Sequence, residues 1–195
     1  GPVTGGGGFS AFEGDSSPYF LPDDFPLVQG PPGVDESELL LSGGCDALIA
    51  PITPKAFQEG NPKIRQLFRD APAAERAYFK KTGVFPIMHA VAIRTDAIEA
   101  DPGLPKAVFE MYRQAKQLAY ANMETTTSLK ITLPWVSQEL EETRELMGRD
   151  FWRYGIEANR KELELIMRYT HEQGLVKRRG QFEEMFAPST LSLLG

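Results

Sequence analysis

Gly83-Val84-Phe85-Pro86-Ile87-Met88-His89-Ala90-Val91-Ala92-Ile93, closed by Arg94-Thr95-Asp96, is the stretch on which the fold turns. Phe85 to Ile93 is an apolar run of strand length, which predicts a strand buried on both faces inside the sheet of an α/β protein. Upstream, Asp46-Ala47-Leu48-Ile49-Ala50, bounded by Pro51 and Pro54, predicts a neighbouring strand of the same kind. Between the two, Pro72 to Lys81 has a helical pattern with Ala74, Ala77 and Tyr78 inward. Leu104 to Met123 repeats Leu104, Ala107, Val108, Met111, Ala115 and Leu118 at three-and-four spacing, predicting a helix that lays this face on the sheet. Pro134-Trp135 opens a helix over Val136 to Met147 that Gly148 closes. A last long helix, Asn159 to Gln173, turns Leu163, Ile166, Met167 and Tyr169 inward and stops at Gly174. Pro188-Ser189 marks a turn in the tail.

Before the first strand, Glu36 to Leu41 reads as a short helix stopped by Ser42-Gly43-Gly44, glycines suited to a left-handed cap. Residues 1–35 hold Gly5 to Gly8, Pro18, Pro22, Pro26, Pro31 and Pro32, and read as an irregular head, because proline removes donors and glycine raises the entropy cost of order. Residues 36–195 are the expected folded region. The chain of 195 residues is 42% apolar and 25% charged, a globular composition. Its net charge of −6 leaves no polycationic surface, so nucleic acid is not the expected partner. A single cysteine, Cys45, excludes an intrachain disulfide framework and a Cys-based zinc site. No run approaches the roughly 18 apolar residues of a membrane span, and no basic-then-apolar leader opens the chain, which points to a cytoplasmic protein without membrane partners.

His89 is one of two histidines and interrupts an apolar strand. Either its nitrogens are satisfied by backbone in a core, or it is a titratable group at a cleft that donates or accepts a proton near neutral pH. His171 fits a cation complementing the end of a helix. The two histidines are far apart in the chain and form no local metal-ligand pattern, so neither metal nor cofactor is assigned. Thr53-Pro54-Lys55 follows the first strand, where ligands of α/β sheets bind, and Lys55 is either an anion contact or a solvated loop lysine. Arg94 is read as a partner of Asp96. Phe151-Trp152-Arg153-Tyr154-Gly155-Ile156-Glu157-Ala158-Asn159-Arg160 gathers side chains that pack and donate hydrogen bonds; here the aromatics staple a helix and Asn159 caps it. Cys45 has no neighbouring histidine, and Gly5 to Gly8 lacks a following Lys-Ser/Thr pair, so neither a thiol nucleophile nor a phosphate loop is expected.

Asp46-Ala47-Leu48-Ile49-Ala50-Pro51, Gly83 to His89, Leu133-Pro134-Trp135, Phe151 to Gly155, Asn159-Arg160, His171 to Leu175 and Phe186-Ala187-Pro188 together resemble the 4,5-dihydroxyphthalate decarboxylase family from about Glu38 to Leu191. The resemblance implies a type 2 periplasmic-binding-protein-like fold. In it two α/β lobes are joined by crossings, here at Pro51 and Pro86, and a helix-rich C-terminal half follows. Two such lobes need more chain than this, so an incomplete architecture lacking the amino-terminal part of the first lobe is implied, and with it little decarboxylation by the chain alone. Where the family commonly has a basic residue after the first crossing this chain has Ile52, with Lys55 the nearest substitute. The implied reaction removes one carboxylate of a catechol dicarboxylate. His89 would be the general acid, and Lys55 or Arg160 the cation for the retained carboxylate. Phe85, Met88 and Trp152 would be an apolar wall, with Thr53 and Asn159 as further substrate contacts. The implied partner is a small aromatic carboxylate, and a homo-oligomer is compatible with it. A solute-binding protein, periplasmic and without chemistry, shares the fold and is the rival expectation.

Overall fold

The computed structural model describes residues 3–4, 26, 28–50 and 52–195. They form two units, residues 1–75 with 173–177 and residues 76–172 with 178–195.

In the first unit, β1 (Val3–Thr4) pairs in parallel with β2 (Val28–Gln29), Val3 opposite Val28 and Thr4 opposite Gln29. The head is therefore not irregular at these rungs, while Gly5 to Gly8, Pro18 and Pro22 lie outside the described residues. Helix α1 (Glu36–Ser42) begins with a reciprocal cap. The Asp35 carboxylate accepts from the Glu38 amide at 2.8 Å, and the Glu38 carboxylate accepts from the Asp35 amide at 3.3 Å. It ends where the sequence places the stop, at Gly43 with φ of 76°, a left-handed conformation that costs glycine nothing sterically. Ser37 and Leu39 are buried, and the Ser37 hydroxyl accepts from the Ala56 amide of α2 (Lys55–Gln58) at 3.4 Å.

The strand expected over Asp46 to Ala50 does not form: the segment is unpaired among the described residues and Ile49 is 102% exposed. Pro51, the expected crossing, lies outside the described residues. A strand buried on both faces needs a ladder on each side, and no described residue supplies one.

Helix α3 (Ala71–Thr82) passes from the first unit into the second and buries none of its residues. The expected inward positions Ala77 and Tyr78 face solvent. Within the second unit Arg76 reaches Glu139 at 2.8 Å and Glu142 at 3.5 Å. Those acids belong to α6 (Val136–Met147), which the structure ends at Gly148 as the sequence predicts. Between them lie α4 (Thr95–Ala100) and α5 (Leu104–Glu124). A 3-10 turn at Glu157–Asn159 leads into α7 (Arg160–Glu172), followed by α8 (Phe182–Met185) and a 3-10 turn at Pro188–Thr190. In α7 Met167 is buried as expected, whereas Ile166 and Tyr169 are exposed.

Two corrections concern the sheet. Phe85 to Ile93 has no regular secondary structure and carries no ladder among the described residues, and Ile87, Met88 and Val91 are exposed. Within the second unit no described residue forms a ladder for α5 to lie on, and of its apolar stripe Leu104 and Val108 are half-buried while Met111 is 64% and Leu118 66% exposed. The face that turns inward contains Pro105, Phe109, Arg113, Lys116 and Tyr120, spaced by the same helical period but rotated around the axis.

Candidate functional site

Most of the residues singled out by the sequence gather in the second unit, around the start of α7 and the segment after α3. Gly83, at φ of 63°, turns the chain out of α3, and Val84 behind it is buried. Lys161, in the first turn of α7, donates from Nζ to the Thr82 carbonyl. Its neighbour Glu162 accepts from the Phe85 amide at 3.3 Å. The Phe85 ring meets Trp152 edge-on, with centroids 5.6 Å apart and planes at 64°. Phe85 and Trp152, two of the expected wall residues, are thus in contact, while Met88 lies further along the exposed segment.

His89 is on that segment and exposed, so the satisfied-core alternative for it does not describe this structure. Arg94 at the segment's end donates from Nε to Asp96 at 2.9 Å, as the sequence predicts, and this pairing holds the Asp96 carboxyl below its ordinary range. Asn159 does not cap α7 with its side chain. Its amide nitrogen points backward and donates to the carbonyls of Arg153 and Gly155, each at 2.9 Å, closing the loop that carries Trp152. Arg160 pairs with Glu157 and Glu164 and lies over the Phe182 ring, 5.0 Å from its centroid. His171 occupies the last turn of α7. Thr53 and Lys55 belong to the first unit. There the Thr53 carbonyl accepts from Gln58 at 3.0 Å, and Lys55 reaches Glu59 one turn on at 3.7 Å.

Two polar groupings escaped the sequence reading. Glu162 is a carboxylate with only 4% of its side chain exposed, with the Arg153 guanidinium 3.6 Å away. With Met167 it is one of the two buried residues of α7, and it stands one helical turn before Ile166, a position the periodicity reads as inward, so an acid in register with that reading was the available signal. The second grouping is centred on Lys116, buried in α5, whose Nζ donates to Asp150 at 2.7 Å and lies 4.9 Å from the centre of the Tyr154 ring. The Tyr120 hydroxyl donates to the same Asp150 oxygen at 3.2 Å and accepts from the Trp152 amide at 2.9 Å. Burial, chiefly, pushes the Tyr120 phenol up to about 12. Together these bonds fasten the loop bearing Trp152 to α5. Among the described residues no group of three or more His, Cys, Asp or Glu side chains is placed to hold a metal ion, and no helix is long and apolar enough to cross a membrane.

No family model matches the chain. A 4,5-dihydroxyphthalate decarboxylase of Comamonas testosteroni is 35% identical to it over 171 residues, 88% of this chain and 52% of that protein. A 4,5-dihydroxyphthalate decarboxylase of Pseudomonas putida is 35% identical over 60 residues, 31% of this chain and 23% of that protein. The chain therefore spans about half the length of the Comamonas testosteroni relative. By that similarity, which bears out the resemblance seen in its motifs, the chain is a homologue of the proteins named 4,5-dihydroxyphthalate decarboxylase.

Proposed function

We propose that this chain takes part in decarboxylating 4,5-dihydroxyphthalate or a closely related aromatic dicarboxylate, giving protocatechuate and carbon dioxide. The alignment of 171 residues with the Comamonas testosteroni decarboxylase carries the reading. The fold that goes with this reading is an incomplete two-lobed, type 2 periplasmic-binding-protein-like architecture, in which the rest of a full-length relative would supply the strand partners that Asp46 to Ala50 and Phe85 to Ile93 lack among the described residues.

The chemistry needs a proton before it needs anything else. An imidazolium at His89 protonates the ring carbon that bears the departing carboxylate, with the ring hydroxyls supplying electron density. The bond to the carboxylate carbon then breaks, carbon dioxide leaves, and the electron pair of that bond restores the aromatic ring. Phe85, Met88 and Trp152 offer the departing group an apolar wall, where loss of hydration favours the neutral product. Arg160, in the same unit as His89 and Trp152, is the cation for the retained carboxylate, exchanging its pairing with Glu157 and Glu164 for the substrate.

A chimera tests this directly. The aligned stretch of the Comamonas testosteroni decarboxylase is replaced by the residues of this chain, and protocatechuate is followed by chromatography. The chimera is expected to turn over, with His89→Ala lowering kcat by about 10²- to 10⁴-fold while KM changes little. A folded chimera without activity would overturn the function. An active one indifferent to His89→Ala would remove His89 from the chemistry.

A further inference from the structure

The segment from Phe85 to Ile93 has no ladder among the described residues, so its course is set where it leaves the body of the second unit. At that point two successive residues of α7 grip it: Lys161 holds the Thr82 carbonyl and Glu162 holds the Phe85 amide at 3.3 Å. Burying a carboxylate is costly unless it is paired, and Glu162, at 4% side-chain exposure, is the most enclosed acid among the ion pairs of the unit. Its partners are the Phe85 amide and Arg153, whose carbonyl is in turn held by Asn159. The carboxylate also lies in the first turn of α7, where negative charge complements the helix dipole. Phe85 is four residues from His89, and its ring is already fixed against Trp152.

We infer that Glu162 is a positioning residue: its carboxylate anchors the Phe85 amide and thereby sets the register and exit direction of the segment that carries His89. The consequence for catalysis rests on the reading of His89 as the proton donor; the anchor itself does not.

Amide hydrogen exchange of the 195-residue chain, read residue by residue by NMR, is the test. Glu162→Ala is expected to speed exchange at Phe85 by about tenfold or more, the worth of a hydrogen bond to a charged acceptor, while amides inside α5 and α6 keep their rates. Glu162→Gln retains an acceptor oxygen and should restore most of the protection, a rescue that mere filling of space would not give. If the alanine chain unfolds, Glu162→Leu fills the same volume without an acceptor and replaces it. Unchanged exchange at Phe85 in a folded alanine or leucine variant overturns the inference, as does equal loss in the glutamine and alanine variants. In the chimera, Glu162→Ala should lower kcat with KM nearly constant. Fast exchange at Phe85 together with turnover that ignores His89→Ala would sink the role of His89 and leave the anchor standing.

Discussion

Gly155 has a φ of 95°, and a Cβ added there would lie 2.4 Å from the Leu193 carbonyl oxygen. Both the backbone conformation and the approach of the tail demand a residue without a side chain. Gly155→Ala should therefore cost about 2–3 kcal/mol, since left-handed strain adds to a clash with rigid backbone. The urea midpoint measures it, and an unmoved midpoint would contradict the close approach. Tyr120 gives a prediction of a different kind. Its pKa rises from 10.0 to about 12, so above pH 10 the unfolded chain loses the phenolic proton first while the folded chain keeps it. The folded state then binds more protons than the unfolded one, so stability falls as pH rises from about 10 through about 12, and this group gives no pH dependence below that window. Tyr120→Phe should flatten that decline in a series of unfolding curves, and a slope identical to wild type would assign the alkaline loss to other groups.

Among the elements, α1 is the one whose ends are most completely specified by local chemistry. Removing the Asp35 carboxylate leaves the Glu38 amide without its acceptor, so Asp35→Ala should cost about 1 kcal/mol and fray α1 first. Faster amide exchange confined to α1 is the expected signature; protection unchanged there would show that the cap contributes nothing. This element also shows why parts of the fold were legible in the sequence. Helix ends at Gly43 and Gly148, and the Arg94–Asp96 pair, depend on residues a few positions apart, so local pattern suffices to find them. The strands at Asp46 to Ala50 and Phe85 to Ile93 depend on partners that the chain must bring from afar, and an apolar run carries no record of whether those partners are present. Helix α5 adds a subtler lesson. Met111 and Leu118 look like its core stripe by composition, yet Lys116 turns inward because Asp150 and the ring of Tyr154 can satisfy its charge. In the site, the family resemblance grouped Phe85 with Trp152 as wall residues and their rings meet, whereas Glu162 was hidden by its resemblance to an ordinary acid in a first helical turn.

At the scale of the molecule, the buried apolar residues among those described are Leu39, Ala56, Val84, Leu140, Ile156 and Met167, and no side chain is fully enclosed. That is a small interior for the described residues. Because denaturant sensitivity follows the surface newly exposed on unfolding, the chain should unfold in urea with a slope at or below the low end of the usual range of about 1–3 kcal/mol per molar. A steep single transition would mean that far more apolar surface is covered in solution than these six residues account for. The unladdered segment from Phe85 to Ile93 bears on a property of a different order, the colloidal behaviour of the protein. From Ile87 to Ile93 its backbone N–H and C=O groups carry no ladder among the described residues, its side chains are mostly apolar, and a stretch of this kind can template the addition of one molecule after another into a growing fibril. Pro86 lacks a donor at one end and Arg94 carries charge at the other, placing a gatekeeper on each flank. The shelf life of a concentrated solution is then governed by that segment and by the two residues that bracket it.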